Sequence, residues 1–296
     1  MSQSTLNSND LSPKPIWSPA DSERPAGFAS EFWQETAAMT KRLFIQLQRR
    51  PTTLVAGVLQ PLMWLILFGA LFYNAPAGLL GEDVSYGQFL APGVIVFTAF
   101  SGALNAGLPV MFDREFGFLN RLLVAPLASR FSIVAASTIY IIALSFLQTA
   151  AIVAVSAFLG ASLPGIGGLL TIAAIVFLVV VGVTALSLGL TFALPGHIEL
   201  IAVIFVTNLP LLFASTALAP LEFMADWLKV VAVLNPLTYA IEPIRHLYAS
   251  DAGSWSATIL QTPWLDFSFI GMLAVLLAFD AIVLLLVQPL LRRRIS

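Results

Sequence analysis

Six long apolar stretches, at about 52–73, 87–111, 131–160, 165–194, 198–220 and 267–291, constrain this 296-residue chain more than any other feature. A helix rises about 1.5 Å per residue, so roughly 20 apolar residues cover the hydrocarbon core of a bilayer. In lipid a spanning segment must satisfy its own N–H and C=O groups, and a helix does so. The expected fold is therefore an all-α polytopic membrane protein with six transmembrane helices. Composition agrees, since 10% of the residues are charged where soluble domains carry about 25%. The mean hydropathy of +0.91 is too high to come from a buried core alone.

An even number of spans puts both termini on one side, and basic residues choose the side. Lys41, Arg42, Arg49 and Arg50 precede the first span, Arg114, Arg121 and Arg130 lie between the second and third, and Arg292, Arg293 and Arg294 follow the sixth. The opposite loops hold only Lys229 and Arg245, beside Glu82, Asp83, Glu222, Asp226, Glu242 and Asp251. The asymmetry predicts cytoplasmic termini. Residues 1–27 are rich in Ser, Pro, Asn and Asp, lack the apolar core of a signal peptide, and read as a disordered cytosolic tail. Residues 28–296 then form one membrane domain.

Three segments do not span. Around 29–50, Trp33, Ala37, Phe44 and Leu47 recur at helical spacing among Lys41, Arg42, Arg49 and Arg50, which suits a helix lying at the cytosolic interface, with Pro51 turning the chain into the bilayer. Between the second and third spans, Asp113 is placed to cap a short helix that Pro126 ends, with Phe116, Leu119 and Leu122 as its apolar stripe. Spacing alone fits a solvated loop helix equally well. The third segment, 221–265, holds Trp227, Trp255, Trp264, Tyr239 and Tyr248. Asn235 and Pro236 read as cap and first residue of a helix that Pro243 should kink, with Glu242 three residues before Arg245. Two short re-entrant helices dipping into the outer leaflet explain this segment better than a loop.

Several chemistries are missing. Without cysteine there is no disulfide, thiolate zinc site or iron–sulfur cluster. A net charge of −2 gives no field to hold nucleic acid. The three lysines follow Pro13, Thr40 and Leu228, so no phosphate-binding loop ending in Gly-Lys-Ser/Thr can be drawn. His197 and His246 fall on opposite predicted faces and cannot share a metal. No catalytic or metal-binding residue is assigned. Asp280 is the one acid well inside a span; with no intramembrane Lys or Arg and no second acid, a neutral structural role is favoured over a proton or substrate role. Gln60, Asn105, Gln148 and Asn208 are uncharged intramembrane side chains of the kind that bond between helices, and the pairs Gly102/Ala106 and Ala185/Gly189 would allow close helix packing.

Two stretches resemble a known family. Phe112-Asp-Arg-Glu-Phe-Gly-Phe-Leu-Asn-Arg-Leu-Leu-Val-Ala-Pro126 resembles the coupling helix of membrane subunits of type-2 ABC exporters, the drug-resistance, polysaccharide and lipid exporter permeases. Pro210-Leu-Leu-Phe-Ala-Ser215, Ala219-Pro-Leu221 and Leu234-Asn-Pro-Leu-Thr-Tyr239 followed by Arg245 resemble that family's closing signature. The likeness covers about residues 28–296, and Gln48-Arg-Arg-Pro51 with Gln60-Pro-Leu-Met-Trp64 is similar to cyanobacterial and plastid members. Departures are Met224-Ala-Asp226, where another proline is usual, and a fourth-to-fifth loop without arginine.

The resemblance implies a permease that binds no cofactor itself. It would work as a homodimer on two copies of a separate ATP-binding subunit, which would carry ATP and Mg. It implies coupling to that ATPase through Asp113, Arg114, Glu115, Phe116, Gly117, Leu119 and Arg121, with a push on the second and third spans. An external gate would involve Asn235, Pro236, Tyr239, Glu242 and Arg245, and cargo would pass along the first, second and fifth spans. Gln60, Asn105, Asn208 and Asp280 are the intramembrane polar candidates. Cargo would be lipidic or amphipathic, in contact with membrane lipid, and leave through a bacterial plasma membrane or an internal membrane. The competing readings are a membrane-embedded lipid-modifying enzyme using Asp280 or Glu242 and His246, and a channel or scaffold without ATP coupling.

Overall fold

The computed structural model describes residues 28–72, 86–117, 131–249, 258–262 and 265–295. The helices, in chain order, are α1 (Phe28–Gln48), α2 (Pro51–Leu71), α3 (Tyr86–Leu104), α4 (Gly107–Glu115), α5 (Phe131–Phe158), α6 (Ile166–Ala193), α7 (His197–Phe213), α8 (Asp226–Leu234), α9 (Pro236–Ala249) and α10 (Phe269–Ile295). Among the described residues, five helices are long and apolar enough to cross a membrane: α2, α3 continued by α4, α5, α6 and α10. The expected fifth span is shorter than 198–220. Its helix, α7, stops at Phe213 after 17 residues, and residues 214–220 leave helical geometry.

The layers follow from which helices are apolar all round. In α3 and α6, 67% and 50% of the most apolar window is buried, against 6% in α2. Leu90, Ile95 and Leu104 of α3 interlock with Ile172, Ile175 and Val180 of α6 and with Ile241 and Ile244 of α9. α5 closes one flank, α10 lies along α6, and α1 lies against α5, where Phe44 meets the Tyr140 ring edge-on at 5.3 Å. α2 and α7 stay on the outside, and Leu59, Leu67, Phe205 and Val206 are half-exposed or more.

Small residues set the closest approaches. A Cβ on Gly93 would lie 2.6 Å from the Ala217 carbonyl oxygen, and one on Gly189 would lie 2.7 Å from Val287. A Cβ on Gly102 would meet nothing within 4 Å, so this member of the expected Gly102/Ala106 pair is a cavity wall, while Ala106 is buried in the core.

The 221–265 segment holds more than two helices. A 3-10 turn at Leu221–Phe223 precedes α8 and α9, and Thr258–Gln261 (β1) pairs antiparallel with Asp266–Ser268 (β2). α9 runs through Pro243 as a continuous helix. It meets the Tyr86 end of α3, whereas α1 and α4 gather at the opposite end of the bundle.

Candidate functional site

The path between the two ends begins with a break. α3 and α4 would be one helix but for Asn105 and Ala106, where the backbone turns before Gly107. Two freed groups are taken up by α6: the Ser187 hydroxyl donates to the Leu104 carbonyl at 2.6 Å and accepts from Gly107 N–H at 3.0 Å, while the Thr191 hydroxyl shares its proton between the Ser187 carbonyl at 2.9 Å and the Gly107 carbonyl at 3.1 Å. A broken helix at membrane depth needs such partners, because no water satisfies it there. The approach is so close that a Cβ on Gly107 would sit 2.2 Å from Thr191 Oγ1 and 2.7 Å from the Ser187 carbonyl oxygen.

Below the break, three consecutive charges join three helices. Asp113 accepts from Arg42 of α1, with 3.2 Å to each carboxylate oxygen. Arg114 donates to the carbonyls of Thr191, in the last turn of α6, and of Leu194 and Pro195, in the turn that follows, at 2.5, 2.8 and 2.5 Å. Glu115 accepts from the His197 backbone N–H at 2.6 Å and from the His197 ring Nδ1 at 2.5 Å, at the N-terminus of α7. A cation thus faces the negative end of one helix dipole and an anion the positive end of the next. Only Leu194, Pro195 and Gly196 separate α6 from α7.

This corrects the expected role of Asp113. It does not start a helix; it lies in the last turn of α4, and the helix ends at Phe116 and Gly117, whose φ of +74° is left-handed. The sequence places a cap-like Asp before an apolar stripe, but α4 begins above it at Gly107, where α6 supplies the partners. Phe116 is 79% exposed, and Phe112 sits between it and the His197 ring at 6.1 and 5.2 Å. Leu119 and Arg121, with the rest of the 118–126 stretch, lie outside the described residues.

At the other end, the irregular 214–220 stretch is held through its carbonyls. Asn235 Nδ2 donates to Leu211 and Ala214 at 2.7 and 2.6 Å, while its Oδ1 accepts from Leu237 N–H at 3.0 Å. One side chain therefore closes the end of α7 and caps the start of α9, where Pro236 is the first residue. Arg245 pairs with Glu242, donates to the Thr216 carbonyl at 2.5 Å, and stacks 3.9 Å from the centre of the Phe89 ring. The Tyr86 hydroxyl donates to Leu218 at 2.9 Å, and Tyr239 packs on Phe267 rather than on this stretch. Asn235→Leu is expected to lose about 2 kcal/mol, the worth of three side-chain hydrogen bonds between helices. Proteolysis near 239–249 should then speed up, and unchanged protection would count against this anchoring.

Between these ends lies a cavity of about 450 Å³ bounded by α2, α3, α5, α7 and the 217–218 stretch. Gln60, Asn105, Gln148 and Asn208 all line it, so the structure brings these amides to one place. Pro61 has no N–H for the Gly57 carbonyl four residues earlier, and Gln148 Nε2 of α5 donates there instead at 2.9 Å. Asn208 Nδ2 donates to the Ser101 hydroxyl at 3.2 Å and Asn105 Nδ2 to the Ser101 carbonyl at 2.7 Å. The buried acceptors Gln148 Oε1 and Asn208 Oδ1 have no hydrogen-bond partner among the described residues.

Asp280 sits elsewhere, where α10 crosses α6, and a Cβ on Gly182 would lie 1.9 Å from its Oδ1. It borders a separate cavity of about 220 Å³ whose other lining residues include no titratable side chain, so no acid–base pair forms around it. Asp280→Asn should keep expression and melting temperature, because the amide preserves shape and hydrogen bonding. A fall in transport with assembly intact would make Asp280 a functional acid.

The model of the ABC-2 type transporter family matches residues 34–248. The chain belongs to that family. Relatives agree along nearly the whole length: a protein named transport permease ycf38 from Porphyra purpurea is 51% identical over 93% of this chain and 94% of its own. Its namesake from Cyanophora paradoxa is 51% identical over 88% and 90%. A daunorubicin resistance ABC transporter permease protein, DrrB1, from Streptomyces coeruleorubidus is 27% identical over 74% and 76%. The resemblance to type-2 ABC permeases, on their plastid branch, therefore holds, and the chain is an integral membrane protein of the ABC transporter permease kind. Within this ABC-2 chain, the residues missed by sequence reasoning are Ser187, Thr191 and His197. The signals for them were a glycine two residues after Asn105 and a histidine beginning the helix after a three-residue turn.

Proposed function

We propose that this chain is the membrane half of an ABC exporter that moves lipidic or amphipathic cargo out of the cytoplasm. Two copies pair and bind two ATP-binding subunits, which hold ATP and Mg and supply the hydrolysis. The six-span topology includes α7, with α8 and α9 re-entrant from outside, and both termini face the cytoplasm of a plasma or internal membrane.

The joint at Asp113–Glu115 is the observation that carries this reading. The stretch from Asp113 to Pro126 is the handle for the ATPase, and its first residues are tied to α1, to the end of α6 and to the start of α7. A push on α4 is therefore delivered to the α6–α7 turn as well as to the second and third spans. α7 carries Phe205, Asn208, Leu209 and Leu212 along the wall of the 450 Å³ cavity, so moving its lower end reshapes that wall. The upper end is held by Asn235 and Arg245, which makes the 214–220 stretch the outer closure over the cargo path.

The test is co-purification of the full chain with its ATP-binding partner, reconstitution in vesicles, and ATP-dependent movement of fluorescent amphiphiles. ATP-driven transport that stops when Phe116 and Gly117 are replaced supports the assignment. A chain that purifies without any ATPase and modifies lipid by itself overturns it.

A further inference from the structure

Helix α1 has two faces with different company. Turned inward, Phe44 meets Tyr140 of α5, Leu43 and Leu47 line a cavity of about 380 Å³, and Arg42 pairs with Asp113 of α4. Turned outward, Trp33, Ala37, Lys41 and Ile45 recur every four residues, with Trp33 61% and Ile45 37% exposed. Arg49 and Arg50 continue the last turn, their N–H groups donating to the Ile45 and Leu47 carbonyls at 3.1 and 3.0 Å. Lys41, Arg49 and Arg50 are all exposed, and among the described residues none of them belongs to an ion pair. The acids of α1, Glu31 and Glu35, lie in its first half, so the outward cations gather where the chain turns into α2.

The depth of α2 fixes what lies against that face. Pro51 opens the helix, its spanning segment starts at Leu54, and only 6% of that segment is buried. Val55 and Leu59 are 59% and 51% exposed and require hydrocarbon around them, so the headgroup layer meets the chain at about Arg49 and Arg50. Leu43 and Leu47 share their cavity with Leu54 and Gly57, in the first two turns of α2, so α1 stays near that level. Tryptophan favours the same layer, and cations there meet the negative surface that phosphate headgroups create. An acidic protein surface would match the cations but give Trp33 and Ile45 no apolar medium.

We propose that the outward face of α1 docks on the anionic headgroups of the leaflet at this end of the bundle, with Lys41, Arg49 and Arg50 as the cationic contacts and Trp33 and Ile45 seated beneath them. Lys41 and Arg42 are neighbours with different partners, the leaflet for one and Asp113 for the other. One turn of α1 therefore ties α4 to the membrane surface. The contact needs no ATPase and is independent of what the protein transports.

The probe is the full-length chain in nanodiscs holding equal amounts of phosphatidylglycerol and phosphatidylcholine, extracted into mild detergent with the retained lipid counted by mass spectrometry. A cation at an anionic surface favours it up to about fivefold, about twofold after screening, so three should enrich phosphatidylglycerol about tenfold. Lys41→Gln/Arg49→Gln/Arg50→Gln should bring the ratio close to one, whereas Lys41→Arg/Arg49→Lys/Arg50→Lys should keep it. The parent's melting temperature should rise with the phosphatidylglycerol fraction and fall back at about 0.5 M salt, and the glutamine variant's should respond to neither. Lys41→Gln alone leaves both arginines beside the span and should lower the ratio about twofold, which keeps the test alive if the triple variant fails to insert. A folded triple variant that retains phosphatidylglycerol as the parent does overturns the proposal and moves the preference to other basic residues. No preference in the parent, with Lys41 shielded from acylation only when an ATP-binding subunit is bound, overturns it in favour of a protein contact.

Discussion

Gly107→Ala should lower the unfolding free energy of the permease by about 3 kcal/mol, from overpacking together with the loss of hydrogen bonds at the break. The added methyl would arrive 2.2 Å from Thr191 Oγ1 and 2.7 Å from a backbone carbonyl of α6, and backbone cannot step aside as a side-chain tip can. α4 would have to withdraw from α6, leaving the Leu104 and Gly107 carbonyls without their hydroxyl donors. Thermal unfolding of the purified chain reads the effect. Ser187→Ala supplies the comparison, since it removes hydroxyl bonds without adding volume and should cost about 1 kcal/mol. Equal melting of Gly107→Ala and the parent would remove the break as a fixed contact.

Arg114→Ala should cost a similar amount, about 3 kcal/mol, after discounting charge-assisted hydrogen bonds for their partial exposure to solvent. One carbonyl in the last turn of α6 and two in the α6–α7 turn depend on this one guanidinium. Arg114→Lys should recover little of it, because an ammonium cannot present donors in the guanidinium's forked plane. In the assembled transporter the same change should leave ATP hydrolysis running while transport falls, because the α6–α7 turn keeps only the Glu115–His197 tie to α4. Full transport by Arg114→Ala with an unchanged melting temperature would sink the joint.

Legibility followed the range of the forces involved. The bilayer imposes a length and an apolar character that a single helix must meet alone, so α2, α5, α6 and α10 could be read within a few residues. α7 was overextended because 214–220 remains apolar; what ends the helix at Phe213 is a set of side chains more than twenty residues away, Asn235 above all. The β1–β2 pair was missed for a similar reason, since strands this short are defined by each other. The Arg-Glu pair was visible as a motif, but the family resemblance pointed it outward toward a partner. Its actual contacts are with residues about 80 positions later in the chain, and no local pattern reports that. The four amides were legible as polar residues in spans; that they meet around one cavity required the packing of α2, α3, α5 and α7.

The 17 residues of α7 rise about 26 Å, whereas the 28 residues of α6 rise about 42 Å. In the proposed six-span topology the molecule would show the bilayer two hydrophobic thicknesses, and hydrocarbon about 30 Å deep would compress on the α7 side. Elastic strain of this kind is a gradient as well as a cost. It draws short-chained lipid toward the thin side, which is the side where α2 and α7 flank the cavity. Turnover of such a protein should depend on acyl-chain length in the host membrane even when the cargo is unchanged, with the membrane itself acting as a mechanical element of the transporter.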